Sequence, residues 1–292
     1  MHLADRVAVS LDKPSEPLRH GREIVTKIRD EYGKMLDPEL VQVFEQVAAR
    51  DAFWFGVTSP KVDVEVDRLW RCSGDDSEMI GLSEIERLFS RIIDFRSRFT
   101  AAHSKGVAAI AEALGELMGL NGACRALRAA GHLHDLGKLS VPTEILETAR
   151  SLTPEEREII RIHPYHTFQV LRTVDRLHEV AMWSSFHHEC LDGSGYPFHL
   201  QADDLTTEAR ILAVADVFGA LSEDRPYRLA MSRAAVIQIL DQLARDVKLD
   251  RDIVALATKY YDELYAQRRT IQSQIEAEYD MFAESVTLAA SQ

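Results

Sequence analysis

A chain of 292 residues, 46% of them hydrophobic, has side chains enough for a sizeable core and for one large or two modest domains. Its formal charge of -13 excludes a nonspecific binder of nucleic-acid polymers or of anionic membranes, and no apolar run is long enough to span a bilayer. Three cysteines (Cys72, Cys124, Cys190) without paired spacing fit a reducing compartment, and with no secretory pattern at Met1-His2-Leu3-Ala4-Asp5 the expected location is the cytoplasm.

Residues 1–20 hold two prolines and read as a loose lead-in. From Gly21 to Lys34 a helix is expected, with Ile24, Val25 and Ile28 on one face. A second helix follows, with Asp37 as N-cap, Pro38 at its first position and Leu40, Val41, Phe44, Val47 and Ala48 as its apolar stripe. Phe53-Trp54-Phe55 anchors a small core. Val62, Val64 and Val66 alternate with Asp63, Glu65 and Asp67 as in one short strand, and the stretch from Cys72 to Ser77 is a polar loop.

Ser83 to Met118 reads as one or two long helices containing His103, closed by the turn Gly119-Leu120-Asn121-Gly122. The alanine-rich run from Cys124 to Leu139 predicts a buried helix, ended by Val141-Pro142. Thr153-Pro154-Glu155-Glu156 is a capped helix start, and that helix reaches His163-Pro164. Two short helices are expected from Tyr165 to Arg176 and from His178 to His188. Asp192 to Pro197 is a loop by composition. Thr207 to Leu221 is a helix carrying Asp216, Ser232 caps the next, and a long helix runs from Asp250 to Glu284. These elements divide into a small, mainly helical N-terminal domain at residues 1–85 and a larger helical domain at 86–292.

The chemistry centres on Gly131-His132-Leu133-His134-Asp135-Leu136-Gly137-Lys138. A buried His-Asp pair is costly unless compensated, and a bound cation is the commonest compensation. Further ligands follow along the chain: His103 before this stretch, then His163, His187, His188 and Asp216 after it. A carboxylate can bridge two ions, so Asp135 is the natural bridge. One divalent ion then takes His103, His134 and Asp216, and the other His163, His187 and His188. Imidazole and carboxylate suit iron, manganese, zinc or nickel. Two such ions a few ångströms apart, with a hydroxide held between them as nucleophile, are what phosphodiester hydrolysis needs at neutral pH.

Lys138, one turn from His134, can reach a phosphate oxygen or pair with a ligand carboxylate. Arg225 and Arg228 bracket Pro226-Tyr227. They suit bidentate phosphate binding or stacking on a base, or else form a surface capping loop. His132 and His166 are expected to pack or to support the ligands through hydrogen bonds, and His2, His20, His178 and His199 to lie on the surface.

Five segments in order resemble the HD-GYP family: His134-Asp135-Leu136-Gly137-Lys138, His187-His188-Glu189, Asp192-Gly193-Ser194-Gly195-Tyr196-Pro197, Ala213-Val214-Ala215-Asp216-Val217-Phe218 and Asp224-Arg225-Pro226-Tyr227-Arg228. These are bacterial phosphodiesterases of the HD superfamily that hydrolyse cyclic di-GMP, and the resemblance covers residues 90–245. It implies an all-α HD-superfamily bundle with a metal centre, usually of iron and otherwise of manganese. It also implies cleavage of cyclic di-GMP to pGpG, which some members carry on to GMP.

Carried over by position, Asp135 and Lys138 are catalytic, and Lys138, Tyr196, Arg225 and Arg228 contact substrate. Phe99 stands where trinuclear members have a glutamate, so a binuclear centre is expected. Thr167 and His199 replace glycines common in the family, and neither is expected to touch a ligand. The alternative is a catalytically weak or inactive module that binds a cyclic dinucleotide; the full set of seven ligand positions argues for the enzyme. Leu264, Ile271, Ile275, Tyr279 and Phe282 form a stripe that either pairs in a homodimer or lies back on the bundle. The N-terminal region is the other candidate for a dimer contact.

Overall fold

The computed structural model describes residues 3, 7, 10, 17–32, 36, 38–59, 98–146, 148, 150–174, 177–223 and 230–274. The strand expected around Val64, the loop around Gly74, the arginines Arg225 and Arg228, and the tail carrying Ile275, Tyr279 and Phe282 lie outside them. The described residues are helical, with one isolated antiparallel bridge, Asp192 to Gln201. None of their helices is long and apolar enough to cross a membrane. The chain divides into two compact units, Met1–Met79 with Tyr196–His199, and Ile80–Gly195 with Leu200–Gln292.

In the first unit α1 (Pro17–Lys27) buries Leu18, Gly21 and Ile24, and its last turn widens into a π-helical turn at Ile28–Tyr32. The lead-in is less loose than its composition predicts: Leu3, Val7 and Ser10 are helical, and Leu3 and Val7 are buried. α2 (Pro38–Ala48) buries only Phe44 and Ala48. Leu40 and Val47, expected in its apolar stripe, stay 47% and 40% exposed, so that stripe is narrower than its sequence.

Burial of α2 is set by α3 (Asp51–Val57), whose Trp54 stands edge-on to Phe44 at 6.3 Å and donates Nε1–H to the Ala48 carbonyl at 2.7 Å. The segment Tyr196–His199 groups with these helices: the Ala52 amide donates to the Pro197 carbonyl at 2.9 Å, and His199 faces Asp51 at 3.6 Å. His199, expected at the surface, keeps 28% of its side chain exposed while facing Asp51. Its φ of 54° lies in the left-handed region, which glycine adopts without strain.

The second unit is built on α4 (Arg98–Leu117), α5 (Cys124–Leu133), α6 (Pro154–Arg161), α7 (His163–Leu171), α8 (His178–Ser185), α9 (Thr207–Ser222), α10 (Arg233–Arg245) and α11 (Arg251–Lys259). α9 is its centre. Ala209, Ile211, Leu212, Ala213, Val214, Ala215 and Phe218 are all buried, so the helix is apolar nearly all round and has no solvent face to speak of.

Thr153, Thr206, Ser232 and Asp250 each accept from a first-turn amide, and the Thr153 cap is completed by Glu156. Beyond a break at Tyr260 the chain is helical again over 261–274, with Leu264 buried in the main core.

Two helices differ from expectation where the candidate ligands lie. The buried helix from Cys124 stops at Leu133; His134 and Asp135 form a corner, and a 3-10 turn carries Leu136–Ser140. The helix expected to start at Tyr165 starts at His163, directly after α6. Gly137 makes the corner possible, because a Cβ there would collide with the His163 carbonyl.

Candidate metal centre

Three candidate histidines share one local design. His134 follows α5, His163 follows α6 and His187 follows α8, each just past a helix end. The last four carbonyls of a helix have no partner inside it. Here His134 Nδ1 lies 2.7 Å from the Gly131 carbonyl, His163 Nδ1 2.8 Å from that of Ile160, and His187 Nδ1 2.6 Å from that of Ser184. A carbonyl only accepts, so each Nδ1 is the protonated nitrogen and each Nε2 presents its lone pair. The negative poles of three helices also converge there, which favours a cation.

The Nε2 atoms point inward. Those of His163 and His187 are 3.2 Å apart, and with both Nδ1 atoms donating elsewhere they form a lone-pair-to-lone-pair contact that a positive ion between them relieves. His134 Nε2 is buried without a hydrogen-bond partner. Asp135 is 2% exposed and divides its oxygens: Oδ1 lies 3.3 Å from His163 Nε2, and Oδ2 3.4 Å from His134 Nε2. Lys138 Nζ donates to Oδ2 at 2.7 Å.

Asp216, projecting from α9, places Oδ1 3.0 Å from His103 Nε2 and 3.8 Å from His134 Nε2; its Oδ2 is 3.9 Å from His188 Nδ1. The donor atoms form two groups, His163 with His187 and His188, and His103 with His134 and Asp135. The orphaned His134 Nε2, the facing Nε2 atoms of His163 and His187, and the mixed imidazole-carboxylate donors fit a pair of divalent ions.

The charges agree with this. Burial opposes ionisation of Asp135, but His134 and Lys138 outweigh it and hold the carboxyl well below its ordinary range. Asp216 is likewise well below, chiefly because its hydrogen bond with His103 overcomes the same penalty. Burial, then His188, holds His187 well below the usual histidine value, and burial with His163 lowers His188 to about 3. These imidazoles are thus neutral, as ligands must be. His103 is the exception: burial works against its charge, but Glu223 and Asp216 together raise it to about 10.

The structure brings together His103, His134, Asp135, His163, His187, His188, Asp216 and Lys138. His188 and Lys138 each keep 29% of the side chain open, whereas His134 and His163 are 1% exposed, so solvent reaches the cluster past His188 and Lys138. Tyr196 is half-buried and groups with the N-terminal helices. His166 bonds Ser140 and, like His132, stays outside both donor groups.

Two residues gain roles the sequence hid. Thr167, not expected to touch a ligand, is fully buried; its Oγ1 donates to the His134 carbonyl at 3.0 Å and accepts from the Gly137 amide at 2.9 Å, pinning the corner. Glu223 places Oε2 3.1 Å from His103 Nδ1. The only signal for it was its spacing, seven residues after Asp216.

Fold and site together define a helical domain built around a buried His-Asp cluster that could hold metal ions. The sequence pattern of the HD domain family matches residues 87–253, more than half of the chain. The chain is 33% identical over 225 residues to the 3'3'-cGAMP-specific phosphodiesterase 3 of Vibrio cholerae, covering 75% of this chain and 48% of that protein. It is 36% identical over 154 residues to the cyclic di-GMP phosphodiesterase response regulator RpfG of Xanthomonas campestris, covering 52% and 41%. Among solved structures, a cyclic GMP-AMP-specific phosphodiesterase of V. cholerae matches with a TM-score of 0.42 at 24% identity, over 92% of this chain and 61% of that one. The chain spans about half the length of the curated relatives it matches. It belongs to the HD domain family and is an HD-GYP protein within it.

Proposed function

We propose that this chain is a metal-dependent phosphodiesterase that opens a cyclic dinucleotide, with cyclic di-GMP as substrate, pGpG as product and GMP as a further product. One observation carries the reading: Asp135 turns its two oxygens toward His163 and His134, which belong to different donor groups. A residue so placed would serve both groups of ligands and so help hold two ions. His103, His134 and Asp216 hold one, His163, His187 and His188 the other, and iron is the first choice of metal, manganese the second.

When bound, such ions supply an activated water and positive charge opposite the phosphoryl oxygens. The protein's own part is positional. Main-chain carbonyls fix three imidazoles, and Asp135 and Asp216 keep the pocket anionic. Lys138, on the open side, exchanges its contact with Asp135 for one with a phosphate oxygen. Tyr196, Arg225 and Arg228 contact the substrate. The chain works in the cytoplasm.

A second reading has its own support. The phosphodiesterase from V. cholerae that shares 33% identity is named for 3'3'-cGAMP, and two further V. cholerae relatives carry the same designation at 31% and 35% identity. On that reading the same centre opens the mixed cyclic dinucleotide.

The test loads purified protein with iron(II) or manganese(II), measures metal per chain, and follows both cyclic dinucleotides by chromatography. Two ions per chain and a linear product are expected, with the faster substrate deciding between the readings. Asp135→Ala is expected to lose both ions and all turnover. Two retained ions with neither substrate cleaved would instead make the chain a binding module.

A further inference from the structure

His103 cannot be steered as the other buried ligands are. It sits inside α4, where the carbonyls one turn back are already bonded along the helix, so its own helix offers Nδ1 no free carbonyl. Its Nδ1 nevertheless needs an acceptor if Nε2 is to face the cluster. Glu223 supplies it from just beyond the end of α9: the residue is 8% exposed, and its Oε2 lies 3.1 Å from His103 Nδ1 while His103 Nε2 lies 3.0 Å from Asp216 Oδ1. Asp216 and Glu223 are two turns apart along one stretch of chain, so they grip opposite nitrogens of the same ring.

We propose that Glu223 is a positioning residue for the metal centre: it orients the His103 imidazole through Nδ1 and thereby sets how tightly the ion on the His103 side is held. This inference rests on the two-ion reading above. It makes the halves of the centre unequal. His163 and His187 are oriented by neutral peptide oxygens, whereas His103 is oriented by a full carboxylate, which makes its other nitrogen a stronger donor. Loss of Glu223 should therefore weaken one ion selectively.

The experiment compares wild type, Glu223→Ala and Glu223→Gln, each loaded with manganese(II) or cobalt(II) and then challenged with graded chelator. Metal per chain and the cobalt absorption bands are read alongside the helical circular dichroism of the metal-free proteins. Glu223→Ala is expected to keep its helical signal, retain the ion held by His163, His187 and His188, and bind the other roughly 10–100-fold more weakly. Glu223→Gln, which keeps an acceptor oxygen, is expected to recover most of that loss.

Unchanged affinity for both ions in Glu223→Ala would overturn the proposal. So would equal loss in the alanine and glutamine variants, because an acceptor oxygen would then not be what the site requires. Should the alanine variant lose its helical signal, the glutamine variant decides alone: it is expected to bind one ion measurably more weakly than wild type, and wild-type affinity for both overturns the assignment. If wild type itself fails to hold two ions, it is the two-ion reading that falls.

Discussion

At the scale of single residues, the cluster is a problem in placing protons. In the metal-free protein His103 is held near pKa 10 against an ordinary 6.5, because Glu223 and Asp216 outweigh its burial. A raised value means the folded chain binds the proton more tightly than the unfolded one. The stabilisation is complete below pH 6.5 and is lost as pH rises toward 10. His187 and His188 have the opposite sign: burial disfavours their charge, so their cost grows as pH falls below 6.5. Metal-free protein should thus be most resistant to urea near pH 6.5 and weaker on both sides, which denaturation curves between about pH 5 and pH 9 will check. Metal must displace the His103 proton, so calorimetry of loading in buffers of different ionisation heat should show proton release. The seven candidate positions that the fold gathers were legible in the sequence because each is a histidine or aspartate in or beside an apolar run. Glu223 was not, since an acidic residue beside Asp224 and Arg225 looks like solvated surface until the fold turns it inward.

At the scale of elements, the centre depends on where helices stop. Composition showed which stretches were helical, and Thr153, Ser232 and Asp250 were legible as caps because a side-chain acceptor before an apolar run has few other uses. The stop at Leu133 was not legible. Leu136 and Leu139 continue the apolar spacing beyond Leu133, and the packing of Gly137 on the His163 carbonyl and the bonds of Thr167 impose the corner. Gly137→Ala should therefore push the 3-10 turn off α7, cost about 1–3 kcal/mol by urea unfolding, and lower metal per chain although no ligand has changed. A variant of wild-type stability and full metal content would show that the corner tolerates a side chain. The stripe on α2 misled for a related reason: periodicity shows which face is apolar, but the width actually covered depends on Trp54 and Phe44.

At the scale of the whole molecule, all seven candidate ligands lie in one of the two units, Ile80–Gly195 with Leu200–Gln292. Ions bound only by the folded form stabilise it, by about 2.7 kcal/mol for one site at a free concentration 100 times Kd. Removing metal with a chelator should lower the melting transition of that unit and leave any separate N-terminal transition in place. Scanning calorimetry with and without chelator checks this, and an equal shift of both transitions would contradict it. The composition of the chain showed a helical protein with room for two domains. It did not show that Tyr196–His199, deep in the larger unit's sequence, groups with the N-terminal helices, since the partners Asp51 and Ala52 are remote along the chain.

The carbonyls that orient His134, His163 and His187 are peptide oxygens, present whatever amino acid occupies Gly131, Ile160 or Ser184. No codon change erases them. The carboxylate behind His103 belongs to a side chain and vanishes with a single codon. Heritable variation can thus retune the orientation of His103 while barely reaching that of the other three. Divergence in metal preference among kindred chains should accordingly enter through position 223.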